Sequence, residues 1–274
     1  MKKMNSFLTL ALASALSITV LAGCGTGAQQ GGDNKQAASG TDSAAGGAKP
    51  KMVMATSADY PPYEFHDTSS GKDEIVGFDI DIANYLAKEI GFDLEVKDMD
   101  FNGLLPALQS KRVDFVMAGM TPKPERLENA DFSDMYYDAK NTIVSKKGSN
   151  LTKTENLAGK KVGVQLGSIQ EGEAQELAKN IQGLEIKSLN KIPEIIQELK
   201  SNRIDAAIIE DTVAKGYTES NQDLEFNVIA QSTPAGSAVA FPKGSENVAK
   251  FNAAIKKLKD SGELDKLIKK WFEK

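Results

Sequence analysis

The segments "LQSKRVDFVMAGM" (residues 108–120) and "LKSNRIDAAIIED" (residues 199–211) decide how this chain is organised. They share Leu, Ser, Arg, a β-branched residue and Asp in register, 91 positions apart. Each reads as the end of a helix, a short polar turn and a buried strand, because charged residues give way abruptly to apolar runs such as "AAII". A unit that returns in this way implies two lobes of similar topology.

The flanking sequence supports that division. The first copy follows "KMVMAT", "GFDIDIANYLAKEIG", "DLEVKDMD" and "FNGLLPALQSKR". The second follows "GKKVGVQLGSIQ", a polar helix from about residue 170 to 179, "LEIKSLN" and "IPEIIQELKSNR". Both sets alternate strand-like and helix-like segments, the pattern of an α/β domain with helices packed on a mainly parallel sheet. Phe78, Ile82, Tyr85, Leu86 and Ile90 recur at helical spacing, with Gly91 where a helix stop belongs, so they are expected in a core.

The chain begins differently. Lys2 and Lys3 precede an apolar run over residues 7–20 and then small residues, the layout of a signal peptide at 1–23. That run is shorter than the roughly 20 residues needed to span a bilayer. "LAGC" (residues 21–24) is similar to a bacterial lipobox, which makes Cys24, the only cysteine, the expected lipid acceptor. Residues 24–50 are rich in Gly, Ala, Ser and Gln, and read as a flexible linker between the membrane and a folded head. The 274-residue chain is 41% hydrophobic and 26% charged, enough for two modest domains. Its formal charge of -5 becomes -7 without the signal peptide's two lysines, which argues against nucleic acid as a partner.

In open α/β sheets ligands collect outside the carboxyl ends of strands. That rule selects four loops: "TSADYPPY", "AGMTPKPER", "LGSIQE" and "EDTVAKGY". In the second, Ala118 and Gly119 open the backbone, Thr121 offers a hydroxyl, and Arg126 carries a planar fork that suits a carboxylate; taken singly Arg126 reads first as a solvated helix residue, and the constellation changes that weighting. Tyr60 and Tyr63 supply flat faces, and Phe101 a possible second face for sandwiching a planar cation, with core packing as the alternative. Gly167 and Ser168 precede a helix whose first N–H groups suit an anion. Asp211 suits a ligand ammonium or an N-cap, or both. The adjacent Glu210 does not make a catalytic pair with it, because neighbours on an extended chain point to opposite faces. The lone His66, the lack of a second cysteine, and the absence of Walker or metal-ligand spacing leave no sign of a metal or cofactor.

The phrases "DYPPYEF", "GFDIDIA", "MDFNGLLPALQSKRVD", "AGMTPKPER", "DFSDMYY", "GKKVGVQLGS", "DAAIIED", "AFPKGS" and "SGELDKLIKKWF" resemble the polar amino-acid-binding proteins of bacterial ABC importers over residues 51–274. "VGVQLGSIQE" and "AAIIEDTVAKGY" are most similar to their Gram-positive arginine-binding lipoproteins. The resemblance implies a bilobed periplasmic-binding-protein-like (type II) α/β fold with a two-strand hinge and a cleft. Lobe 1 would be 50–138 plus 237–274 and lobe 2 141–234, with crossovers near residues 137–141 and 234–238. It implies ring stacking by Tyr60 and Phe101, carboxylate contacts from Ala118, Gly119, Thr121 and Arg126, and second-lobe contacts from Gln165, Ser168, Ile169, Gln170 and Asp211, with Asp211 on the α-ammonium.

Two departures bear on the ligand. Ser57 stands where many relatives carry Asp, and Glu210 stands where glutamine-binding relatives have His. The extra acid favours a cationic side chain, so a free basic L-amino acid is expected, arginine ahead of lysine, ornithine, histidine and then glutamine. The implied partners are an ABC permease and, through the N-terminal lipid, the extracellular face of the cell membrane. The implied role is binding without catalysis; a dehydratase or a sensor on the same fold are the alternatives.

Overall fold

The computed structural model describes residues 49–230 and 235–273. The signal peptide at 1–23, Cys24, nearly all of the 24–50 linker and Pro234 lie outside the described residues. Two five-stranded sheets follow one plan. In the first, Asp93–Asp98, Lys51–Thr56 and Phe115–Val116 run parallel, followed by Ala240–Pro242 and Ala130–Phe132. The second orders Glu185–Leu189, Lys161–Gln165 and Ala206–Glu210 in parallel, then Asn141–Lys146 and Leu224–Val228. In each sheet the fourth strand is antiparallel to its neighbours and closes a parallel trio.

The repeated segment is the same structure twice. Lys111 and Asn202 both adopt left-handed backbone, φ 55° and 59°, a conformation costly for residues with a Cβ. The next N–H turns back to the helix, Arg112 to the Ala107 carbonyl and Arg203 to that of Glu198, each at 3.0 Å. Val113 and Ile204 are buried. Asp114 then accepts the Val53 N–H at 2.7 Å, and Asp205 accepts that of Lys161 at 2.8 Å. The shared aspartate is therefore a clamp that fixes the central strand of each lobe against its neighbour.

The Phe78–Ile90 helix buries Phe78, Ile82 and Leu86, leaves Tyr85 and Ile90 half-buried against the core, and ends on Gly91 at φ 91° as expected. Tyr137–Ala139 and Ala235–Ser237 pair antiparallel as a ribbon between the two sheets. Beside it Tyr63, Phe78 and Tyr137 surround Phe272, the last residue of the Glu263–Phe272 helix, with ring centroids 5.1, 4.6 and 4.6 Å from it. This aromatic cluster fixes the ribbon's base.

Replacing Asp205 with Ala leaves the Lys161 amide without its acceptor at a partly solvated site, so a loss of about 1 kcal/mol is expected. Asp114→Ala should cost a similar amount, because it removes the equivalent bond. Urea unfolding of the two variants measures both; a loss in one lobe only would show that the repeated clamp is not equivalent in the two.

Candidate functional site

The carboxyl ends of both parallel trios open onto one narrow cavity. The centres of water-sized spheres fit in only about 20 Å³ of it, so the opposing walls stand close together. Tyr60, Phe101, Ala118, Gly119, Thr121 and Arg126 line it from the first sheet's side, and Gln165, Ser168, Ile169, Gln170 and Glu210 from the second. Tyr63, named with Tyr60 as a flat face of its loop but not among the expected ligand contacts, and Ala139 and Ala235, which sequence reasoning did not assign to the site, complete the lining. Tyr63 sits in the quoted Tyr-Pro loop and was the one with a visible signal. The two alanines belong to the hinge ribbon, where nothing in their side chains marks a site.

Arg126 lies on the short Pro124–Leu127 helix and is 5% exposed. Its Nη1 donates to the Thr121 carbonyl at 2.7 Å and its Nη2 to the Gly167 carbonyl of the opposite wall at 2.9 Å. The guanidinium carbon stands 5.4 Å from the Phe101 ring centroid, so one face of that ring already holds a cation. Burial lowers the guanidinium to about 10, which leaves it charged at neutral pH.

Tyr60 packs against Gly119, where a Cβ would meet the ring at 3.1 Å, and Gly119 itself has φ 54°. Glycine is thus required here on two counts. The Gly119 N–H donates to Asp79 Oδ2 at 2.9 Å, and Asp79 Oδ1 accepts the Tyr136 hydroxyl at 2.8 Å. Gly119 therefore offers open backbone to a ligand while its amide is held from behind. Burial pushes Asp79 up to about 6, opposed by those two bonds.

The helix end on the opposite wall is partly occupied by its own residues. Ser168 caps the Ile169–Asn180 helix by accepting the Glu171 N–H at 3.0 Å, and the Gly167 N–H donates to the Glu171 carboxylate at 2.7 Å. The expectation that this terminus awaits an external anion is weakened by that resident acid.

The acidic pair is arranged the other way round from the sequence expectation. Glu210 ends the Ala206–Glu210 strand at 4% exposure and lines the cavity. It accepts the Tyr63 hydroxyl at 3.1 Å, the Thr212 hydroxyl at 2.9 and 2.8 Å, and the Val213 N–H at 3.3 Å as the N-cap of the Asp211–Ser220 helix. Asp211 does not line the cavity; its Oδ1 accepts the backbone N–H groups of Lys140 and Thr212 at 3.2 and 3.1 Å. The two carboxyls stand close together at the strand-to-helix junction, and Glu210, the last strand residue, takes the inward position while Asp211 opens the helix. Ser57 is also outside the lining: it is buried and its hydroxyl donates to Asp59 at 2.8 Å. Burial, reinforced by Asp211, pushes the Glu210 carboxyl up to about 8, against the bonds from Thr212 and Tyr63.

Among the described residues neither Arg126 nor Glu210 has an ion-pair partner of opposite charge. One cavity thus presents a buried cation on one wall and a buried acid on the other, with aromatic rings beside them. Two α/β lobes closing on such a cavity define a solute-binding protein. The chain belongs to the bacterial extracellular solute-binding proteins, family 3, whose model matches residues 52–274. It is 54% identical over 226 residues to the arginine-binding extracellular protein ArtP of Bacillus subtilis, covering 82% of this chain and 87% of that one. It is 32% identical over 275 residues to the glutamine-binding protein GlnH of the same organism, covering 98% of both. The crystal structure of an amino acid ABC transporter substrate-binding protein from Streptococcus pneumoniae bound to L-arginine superposes with a TM-score of 0.77 at 40% identity, covering 81% of this chain and 94% of that one.

Membership places the protein outside the cytoplasmic membrane, as an extracellular or periplasmic component of solute transport. Glu210 makes its stability pH-dependent. Its folded value of about 8 exceeds its ordinary 4.5, so the folded state holds the proton more tightly and loses stability as pH rises between those values. Glu210→Gln removes this contribution. Thermal melts of the ligand-free head at pH 5 and pH 8 should show a smaller loss for the variant than for the wild type, by at least about 2 °C; parallel losses would mean that Glu210 is ionised throughout.

Proposed function

We propose that this protein closes its lobes over a basic L-amino acid, arginine first, and delivers it to an ABC permease. The observation that carries this reading is a buried cation, Arg126, and a buried acid, Glu210, which face one cavity from opposite walls with no ion-pair partner among the described residues. A buried charge is costly unless paired, and an amino acid with a cationic side chain answers both. Arg126 takes the α-carboxylate with Thr121, while Ala118 and Gly119 allow close approach. Tyr60 and Phe101 pack the side chain, and Gln165, Ser168, Ile169 and Gln170 meet it from the other wall. Glu210 is the primary cation acceptor, and Asp211 acts through its charge on Glu210. That the Bacillus relative is an arginine-binding protein and that the pneumococcal structure is bound to L-arginine both support arginine.

The lobes are 50–138 plus 237–274 and 141–234, the ligand touching both and so favouring the closed form. The head is tethered to the extracellular face of a Gram-positive cell membrane through lipid on Cys24 and the 24–50 linker. No bond is made or broken in this cycle. The similarity to the glutamine-binding relative sustains a second reading, a glutamine receptor, in which a protonated Glu210 donates to a neutral amide.

Calorimetric titration of the purified head with arginine, lysine, histidine and glutamine separates the two. Arginine should bind most tightly, and no heat with any of the four would sink the ligand class. Arg126→Ala should weaken arginine binding by about 30-fold or more, the result of leaving a carboxylate unpaired in a buried site. Glu210→Gln should move the preference from arginine toward glutamine, whereas an unchanged ranking would remove Glu210 from selection.

Proton release supplies an independent check. A carboxyl at about 8 is largely protonated at pH 7, and a cation beside it favours the ionised form. Arginine binding at pH 7 should therefore release most of one proton, seen as different binding heats in phosphate and Tris buffers. Equal heats would place the cation elsewhere.

A further inference from the structure

Asp59 lies one residue before the cavity ring Tyr60, on the Asp59–Tyr60 strand, and is itself outside the lining. Its Oδ2 accepts the backbone N–H of Ile192 at 2.8 Å. Ile192 is the first residue of the Ile192–Lys200 helix, which packs on the second sheet. The Asp59 Oδ1 accepts the Ser57 hydroxyl at 2.8 Å, which holds the carboxylate in place. A second tie runs alongside, because the Tyr217 hydroxyl of the Asp211–Ser220 helix donates to the Asp59 carbonyl at 3.1 Å.

The helix caps itself only in part, Glu194 accepting the Lys191 N–H at 3.4 Å. Its N-cap residue is Lys191, and lysine has donors but no acceptor to offer a first-turn amide. The usual Ser, Thr, Asp or Asn is absent at that position. The missing acceptor comes instead from the other lobe, and an anion is the partner favoured at a helix N-terminus. The two groups are 133 residues apart in sequence and tie the Asp59–Tyr60 strand on the first sheet's side to a helix of the second.

We propose that Asp59 is a positioning residue that latches the closed state: its carboxylate caps the opposite lobe's helix only when the cleft is shut, and so sets how long a bound solute is retained. The inference rests on the solute-binding reading above. Because Asp59 does not touch the cavity, the latch acts alike on every ligand. Ser57 acquires a role through it as well, as the hydroxyl that aims the carboxylate.

Stopped-flow kinetics on the intact head test it, with arginine and lysine as probes. Asp59→Ala should speed dissociation of both about 10-fold, equivalent to about 1.4 kcal/mol, with association unchanged within about twofold. Asp59→Asn, which keeps an acceptor oxygen but not the charge, should fall between. Ligand-free melting temperature should be the same in all three, which a merely structural residue would not allow. The Ile192 amide should gain hydrogen-exchange protection on arginine addition in the wild type and fail to gain it in Asp59→Ala. Tyr217→Phe, which leaves the carboxylate in place, should raise dissociation by a smaller factor. Wild-type dissociation in Asp59→Ala, a loss carried by association, or a fall in ligand-free stability would each overturn the latch. If the wild type binds neither probe, the solute-binding reading for basic amino acids fails first and the latch falls with it.

Discussion

An ionised or ionisable group shut away from water must find an opposite charge, lose its own, or destabilise the fold. Arg126 and Glu210 meet this constraint on opposite walls of one cavity, and each meets it in a different way. Arg126 keeps its charge and is supported by two carbonyl dipoles, from Thr121 and Gly167, and by the Phe101 ring. Glu210 holds its proton more firmly than an exposed acid and is surrounded by hydroxyls. Among the described residues neither group has an ion-pair partner of opposite charge, although both face the same cavity.

The scaffold explains how two distant sequence segments come to face each other. Each parallel trio delivers its loops to the same end, and the aspartate clamps Asp114 and Asp205 hold the central strands in register. Behind the cavity floor Asp79 ties the Gly119 loop to Tyr136, next to the hinge ribbon. A change at the ribbon is therefore one hydrogen-bonded step from the backbone that a ligand would approach.

Much of this was legible in the sequence for identifiable physical reasons. The repeated Leu-x-Ser-x-Arg-β-Asp segment announced two equivalent units because its β-branched residue is buried and its Asp accepts a neighbouring strand's amide in both copies, after a left-handed turn at the variable position before Arg. The four strand-end loops followed from the rule for open sheets. What the pattern did not settle was orientation within an adjacent pair. Glu210 and Asp211 differ by one residue at a strand-to-helix junction, and which one faces inward depends on where the strand stops. Tyr63 was visible as a ring but its hydroxyl bond to Glu210 joins residues 147 apart, which local reading does not reach. The alanines of the hinge line the cavity only because the chain crosses there twice.

The C-terminal helix carries a further implication. Trp271, the protein's one tryptophan, donates its indole N–H to Asp81 at 2.8 Å and stands beside Phe272, whose ring is packed with Tyr63 and Tyr137 at the base of the ribbon. Tyr63 in turn reaches the Glu210 carboxylate. The molecule thus contains a natural optical probe, whose ring meets that of Phe65 edge-on at 6.0 Å in the segment that follows Tyr60 and Tyr63, and the packing of Phe272 makes this helix end a poor place for a bulky fusion partner.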